Sequence, residues 1–179
     1  MNSSSTTQMR RDKLTLRDLC TLALLGALMM GAQVAMASLP NIEPVTVLMM
    51  CTALVYGRRA FYACYVFVLL EGLVYGFGFW FLNYLYVWAV LVAAVLLLRR
   101  NTSYVFWSVV AAIYGLSFGA LCAIPYFITG GWAAGFAYWV GGIGFDLLHC
   151  AGNAVMAALL LRPLTETLRR LREKSIVSK

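Results

Sequence analysis

The run Phe81–Leu98, FLNYLYVWAVLVAAVLLL, contains no charged side chain and is followed directly by Arg99-Arg100. A helix of about 20 apolar residues crosses the hydrocarbon core of a bilayer, and paired arginines at one end are typical of a cytoplasmic boundary. The whole chain of 179 residues is 63% hydrophobic, whereas soluble domains are roughly half apolar. The sequence therefore predicts an all-α membrane protein that crosses the bilayer several times.

Similar apolar segments occur on both sides of this run. We place six transmembrane helices at approximately residues 19–39, 44–57, 60–74, 81–98, 104–124 and 144–161. Thr15 and Asp18, which precede the first span, have the spacing of a capping box at a helix start. The predicted organisation is a polar tail at 1–13, a six-helix transmembrane domain at 14–162 and a basic amphipathic segment at 163–179. We expect this last segment to lie on the membrane surface.

Every basic residue falls on one side of the predicted membrane. The fourteen Lys and Arg residues precede span one, follow span six, or lie between spans two and three and between spans four and five. Because cytoplasmic segments carry the excess of Lys and Arg, both termini are predicted to be cytoplasmic. This placement explains the net charge of +7 without nucleic acid as a partner.

The three connections on the opposite side carry no basic residue. They cover residues 38–43, 75–83 and 126–142, and they are rich in Gly, Pro, Asn and aromatic residues. Apolar loops with so little charge, Glu43 being the one charged residue in the three, are unusual as connectors in water, so we predict that they fold over a ligand as a lid. Mobile backbone would be supplied by Gly130, Gly131, Gly141 and Gly142.

A polar face occurs in the sixth span, within GGIGFDLLHCAGN at 141–153. Asp146, His149 and Asn153 are spaced by three and then four residues, which places them on one face of a helix. Such side chains are costly in a membrane unless they face a partner or a wet cavity. Glu43 and Glu71 fall at a similar depth, which favours a binding pocket over hydrogen bonds between helices. An alternative is that Asp146 caps the helix and that Asn153 only packs against neighbouring helices.

Catalytic and metal-binding signatures are absent from the sequence. The chain has no P-loop motif, no GxSxG and no HExxH, and its single His is too few for a usual zinc site. The five cysteines lie within apolar runs and form no CxxC pair. We predict no catalytic residue, no metal site and no catalytic cofactor. A small intramembrane enzyme using Asp146 and His149, or an assembly subunit without a ligand, are the alternatives.

Span one carries small residues four apart, a pattern that lets membrane helices approach closely. Its members are Ala23, Ala27, Gly31 and Ala35. They are interpreted either as packing within the chain or as docking to another membrane subunit.

Taken together, the size, the six spans with cytoplasmic ends, and three motifs resemble the S components of energy-coupling factor (ECF) transporters. The motifs are Ala23-Leu-Leu-Gly-Ala27, Pro40-Asn-Ile-Glu-Pro-Val-Thr46 and Gly144-Phe-Asp-Leu-Leu-His149. The resemblance implies a subunit of the bacterial cell membrane that captures a vitamin at the outer face. It also implies that Ala23 and Ala27 dock a transmembrane T component, which works with two ATPase subunits.

The resemblance is strongest to cobalamin-specific S components, so cobalamin is the expected transported substrate. The absence of Lys and Arg at the outer face argues against anionic substrates, and another neutral or cationic vitamin is the alternative. The predicted substrate-binding residues are Asn41, Glu43, Thr46, Glu71, Tyr75, Trp80, Asn83, Tyr84, Trp139, Asp146, His149 and Asn153.

Overall fold

A computed structural model describes residues 14–38, 42 and 44–177, with side chains as far as residue 174. This part of the chain is 90% helical and contains no strand. Its elements are α1 (Leu16–Ala35), α2 (Val45–Tyr56), a 3-10 turn (Gly57–Arg59), α3 (Ala60–Tyr75), α4 (Phe79–Leu98), α5 (Tyr104–Cys122) and α6 (Ile124–Val177). The all-α prediction is confirmed.

Five helical stretches in the described residues are long and apolar enough to cross a membrane. They are Leu16–Ala35, Val45–Tyr75, Phe79–Leu98, Tyr104–Cys122 and Ile124–Lys174. The prediction of six spans counts residues 44–57 and 60–74 as separate spans. In the structure, α2 and α3 are joined by the 3-10 turn and form the single stretch Val45–Tyr75. With 12 residues, α2 extends for only about 18 Å at 1.5 Å per residue, which is short of the roughly 30 Å hydrocarbon core.

The short helix α2 forms the centre of the bundle. All of its residues except Leu54 are buried, because it packs against α1, α3, α4 and α6. A helix that is hydrophobic all round is suited to such a position. The Thr165 hydroxyl of α6 donates to Cys51 Sγ at 3.3 Å, and the Arg172 guanidinium donates to the Val55 carbonyl. Residue numbers rise in the same direction along both helices from the first contact to the second. The helices α2 and α6 therefore run parallel.

Three segments that carry basic residues meet at one end of the bundle, which we call the basic end. Arg59, in the turn after α2, forms an ion pair with Asp18 of α1 at 3.1 Å. Asp18 also completes the predicted capping box with Thr15. Arg172 lies over the Tyr56 ring at 5.3 Å from its centroid. The start of α1 and the far part of α6 therefore lie at the same end, and their cytoplasmic placement stays a prediction.

The predicted loop at 126–142 is wrong, because these residues are helical and belong to α6. The helix is interrupted only at Gly131, whose φ of 75° permits a sharp kink. The two arms of the kink face each other, with the rings of Tyr126 and Tyr138 stacked at 4.0 Å. Backbone polar groups in an apolar environment must be bonded internally, and this favours helix even in a sequence rich in glycine.

The segment after Arg162 also differs from the prediction. It does not begin a separate surface helix, because α6 continues through Pro163 as far as Val177. Proline removes one backbone hydrogen bond, but the following turn is held by the buried side chains of Thr165 and Leu168. The basic segment is therefore an extension of the last helix, with residues 178–179 outside the described part.

Candidate functional site

The site begins with an unusually close approach between α5 and α6. Gly115 faces the α6 backbone, and a Cβ atom there would lie 2.7 Å from the carbonyl oxygen of His149. One turn later, a Cβ atom on Gly119 would overlap the Asp146 carboxylate. These glycines form a GxxxG pair, which is a sequence signal for close helix packing and was not among the predicted site features.

Asp146 is held in this contact by the backbone of α5. Its Oδ1 accepts a hydrogen bond from the Gly119 N–H at 2.8 Å, and the residue is 4% exposed. Its Oδ2 is buried and has no hydrogen-bond partner among the described residues. Asp146 lies well inside α6, so the alternative that it caps the sixth helix is wrong.

His149 lies one turn further along the same face of α6. It is 3% exposed, and its ring packs against Phe118 at 4.9 Å and Tyr114 at 6.4 Å. Its Nε2 is buried without a partner in the described part of the chain. Neither this Nε2 nor Asp146 Oδ2 has a partner among the described residues, so the two atoms are not bonded to each other.

Asn153, the third member of the predicted face, is deeper in the bundle. Its Nδ2 donates to the Ala111 carbonyl at 3.3 Å, while its Oδ1 is buried without a partner in the described residues. It does not line the cavity that Asp146 and His149 share. The prediction of a common polar face therefore holds for all three residues, but only two of them reach the cavity.

This cavity, the α5–α6 cavity, has a volume of about 460 Å³. That volume lies within the roughly 300–1,000 Å³ of small-molecule sites. It is lined by Phe118, Gly119, Cys122, Tyr138, Gly141, Gly142, Phe145, Asp146 and His149. Its walls are thus mainly apolar and aromatic, its polar groups converge from α6, and no Lys or Arg lines it.

A second cavity, the α3–α4 cavity, has a volume of about 230 Å³. It is lined by Gln33, Glu71, Tyr75, Trp80 and Tyr84. Glu71 is 2% exposed, and the uncharged Gln33 side chain lines the same cavity. Four of the predicted substrate-binding residues therefore belong to this cavity and not to the one beside Asp146.

An aromatic column lies between the two cavities. Its ring centroids are separated by 5.9 Å from Tyr84 to Trp88, 5.8 Å from Trp88 to Phe118 and 4.9 Å from Phe118 to His149. Trp88 and Phe118 were not among the predicted site residues, because their side chains resemble the other apolar residues of their spans. They place Glu71 and Asp146 on opposite sides of a packed wall.

Three other predicted site residues, Thr46, Asn83 and Trp139, line neither cavity. Thr46 is buried in α2, and Asn83 accepts a hydrogen bond from the Tyr86 hydroxyl at 3.4 Å. Trp139 is 36% exposed and packs near Phe136. Asn41 and Glu43 lie outside the described residues.

The small-residue stripe of α1 faces away from the bundle. Its members, Ala23, Ala27, Gly31 and Ala35, are all exposed. The contact between α1 and α3 uses another residue, Gly26, at which a Cβ atom would lie 2.7 Å from the Ala63 carbonyl oxygen. Packing against the described residues therefore does not account for the stripe.

No group of three or more His, Cys, Asp or Glu residues that could hold a metal ion occurs in the part of the chain that the structure describes. The arrangement at Asp146 and His149 is instead that of hydrogen-bonding groups at the wall of an apolar cavity.

Comparison with protein families, with curated proteins and with solved structures found no match.

Proposed function

We propose that this protein is the substrate-capturing membrane subunit of an ECF-type importer and binds a vitamin in the α5–α6 cavity. The proposal rests on two buried polar atoms, Asp146 Oδ2 and His149 Nε2. Neither has a hydrogen-bond partner among the described residues, and both residues line a cavity of about 460 Å³. A buried polar atom without a partner costs about 1–3 kcal/mol. A ligand that enters the cavity supplies the missing partners.

The lining favours a ligand with apolar surface and a few amide or amine groups. Phe118, Tyr138 and Phe145 provide aromatic walls, and Gly141 and Gly142 let a ligand approach the α6 backbone. A carboxylate or phosphate would meet the Asp146 carboxylate without a basic residue to balance it. The substrate class is therefore neutral or cationic.

Cobalamin is the substrate that the sequence resemblance implies. Its amide side chains carry N–H donors that suit Asp146, while its corrin ring is larger than a drug-sized molecule and requires a wider cavity than the ligand-free one. A smaller neutral or cationic vitamin fits the volume without such a change. A binding assay distinguishes these two substrates within the same proposed function.

Delivery of the substrate depends on other subunits in this proposal. The exposed stripe at Ala23 and Ala27 is the surface for the T component, and the two ATPase subunits hydrolyse ATP. The basic end faces the cytoplasm, so that both cavities open towards the outside of the bacterial cell. The bilayer surrounds the remaining apolar surface.

The test is calorimetric titration of the purified protein with a panel of vitamins. We expect saturable binding of one neutral or cationic vitamin, and a red preparation if cobalamin co-purifies. Replacing Asp146 by Asn removes the charge at nearly constant volume and should weaken binding roughly tenfold, the effect of losing a charge-assisted hydrogen bond.

The matched control is Glu166→Gln, which removes an exposed carboxylate that pairs with Arg162 on the α6 extension. This variant should bind the vitamin as the unmodified protein does. Absence of saturable binding across the whole panel would contradict the proposed function. If the Asp146→Asn variant bound the vitamin as tightly as the unmodified protein, the α5–α6 cavity would not be the binding site.

A further inference from the structure

The α3–α4 cavity contains a carboxylate, that of Glu71, and no cationic side chain of the described residues lines it. The segment from Ala60 to Leu98, which supplies Glu71 and the three aromatic residues of this cavity, contains no Lys or Arg. The α1 helix contributes only Gln33, an uncharged residue. Burial of a carboxylate without a cationic partner is strongly unfavourable, so the cavity is suited to a ligand that brings a positive charge.

Two acceptor atoms at this cavity lack donors. Glu71 Oε1 and Gln33 Oε1 are both buried and have no hydrogen-bond partner among the described residues. Both atoms accept and neither donates, so their common complement is a group with several N–H donors, such as an ammonium.

The wall opposite Glu71 is aromatic. Trp80 and Tyr84 pack edge to face with their ring centroids 5.1 Å apart, and Tyr75 completes the lining. Cations bind favourably over the faces of Trp and Tyr rings. An apolar group attached to the ammonium would be accommodated by the same rings.

The turn between α3 and α4 fixes this arrangement. A Cβ atom on Gly72, the residue after Glu71, would overlap the Phe77 ring. The Phe77 ring packs in turn against Phe81 at 4.9 Å. Glycine at position 72 thereby lets the turn fold back closely, and this brings Trp80 and Tyr84 of α4 to the side of Glu71.

From these observations we infer that the α3–α4 cavity is a binding site for a primary ammonium group carried on an apolar or aromatic body. Glu71 and Gln33 accept hydrogen bonds from the ammonium, and Trp80 and Tyr84 contact the rest of the ligand. Trp88 and Phe118 of the aromatic column lie between this site and the α5–α6 cavity. This ammonium site does not depend on the function proposed for the α5–α6 cavity.

The test uses phenethylammonium as the probe, with Trp fluorescence and calorimetry of the purified full-length protein as readouts. We expect saturable binding of this probe and weaker binding of two analogues. The neutral phenethyl alcohol lacks the charge, and the trimethylated ammonium lacks the N–H donors. Glu71→Gln should weaken phenethylammonium binding roughly tenfold, as expected for loss of a charge-assisted hydrogen bond.

Two further variants separate loss of the site from loss of the fold. Trp80 is only partly buried, so Trp80→Leu should keep the fold while weakening binding severalfold, to the extent of about 1 kcal/mol for a cation–π contact. Glu166→Gln removes a carboxylate at the basic end and should bind as the unmodified protein does. The inference is overturned if the unmodified protein shows no saturable binding, if Glu71→Gln binds equally well, or if the trimethylated analogue binds as tightly.

The same assays separate this inference from the proposed function. Phenethylammonium binding by a protein that binds no vitamin would support the ammonium site and contradict the importer function. Vitamin binding without phenethylammonium binding would overturn the ammonium site alone.

Discussion

Acidic residues at the two ends of the bundle differ in how completely they are hydrogen-bonded. At the basic end, Asp18 accepts hydrogen bonds from the Thr15 hydroxyl at 2.9 Å and from Arg59 at 3.1 Å. At the other end, which we call the cavity end, Glu71 and Asp146 are buried more deeply, and each leaves one carboxylate oxygen without a partner in the described chain. The described chain thus supplies hydrogen-bond partners for Asp18 at the first end, but not for every carboxylate oxygen at the second.

The unpaired atoms are confined to the cavity end and the middle of the bundle. In the described residues they belong to Gln33, Thr46, Glu71, Trp88, Asp146, His149 and Asn153. Native proteins satisfy most buried polar groups, so such a concentration indicates partners from outside the chain. The two ends therefore differ in how far the described chain satisfies its own buried polar atoms, and the unpaired atoms of Gln33, Glu71, Asp146 and His149 belong to residues that line the proposed ligand sites.

The largest expected effect comes from widening the gap between α5 and α6. Gly115→Ala places a Cβ atom 2.7 Å from the α6 backbone at His149, and backbone cannot yield as a flexible side chain does. We expect the free energy of unfolding to fall by about 1–3 kcal/mol, as for an overpacked core, with loss of ligand binding at the α5–α6 cavity. Denaturation monitored by circular dichroism measures the first effect.

The matched control for this change is Gly144→Ala, because a Cβ atom at Gly144 meets no atom within 4 Å. Alanine has a higher helix propensity than glycine by about 1 kcal/mol, so this variant should be as stable as the unmodified protein or more stable. Equal stability of Gly115→Ala and Gly144→Ala would show that the close approach of α5 and α6 is not needed.

A smaller effect is expected from breaking the cap at the basic end. In Thr15→Val the side chain no longer accepts from the Asp18 N–H at 3.1 Å, and loss of an N-cap costs about 1 kcal/mol. Stability should fall while ligand binding is unchanged. Thr21→Val is the control, since the exposed Thr21 hydroxyl only donates to a carbonyl of its own helix. Weaker ligand binding in Thr15→Val would contradict the separation of roles between the ends.

The smallest effect on the fold is expected at the α1 stripe. Ala27 is exposed, so Ala27→Trp should change the free energy of unfolding by no more than about 0.5 kcal/mol, as is usual for surface substitutions. Under the proposed function, vitamin uptake by cells that express the complete importer should nevertheless be lost, because the bulky ring would block docking of the T component. Normal uptake by this variant would show that the stripe is not the docking surface.

Apolar length and residue spacing predicted the all-helical fold. The run at Phe81–Leu98 forms α4 almost as predicted, and helical periodicity placed Asp146 and His149 on one wall of a cavity. Both inferences depend on local properties, namely apolar length and residue spacing, which do not require knowledge of neighbouring helices.

The errors have a common physical origin in the environment of each segment. Glycine and aromatic residues at 126–142 are typical of loops in water, but they form helix here because an apolar surrounding requires internal backbone bonds. Gly115 and Gly119 act through contact with α6, and Trp88 through contact with Phe118. Such contacts between helices cannot be predicted from one helix at a time, and neither could the division of the predicted site into two cavities.

The central claim is that acidic residues at the cavity end lower the stability of the ligand-free protein, whereas Asp18 raises it. The most direct measurement compares the free energy of unfolding of ligand-free Asp146→Asn and Asp18→Asn with that of the unmodified protein. Asp18→Asn should lose about 1 kcal/mol through its ion pair and cap, while Asp146→Asn should gain stability because its unpaired buried charge is removed. Destabilisation of both variants to the same extent would contradict the account.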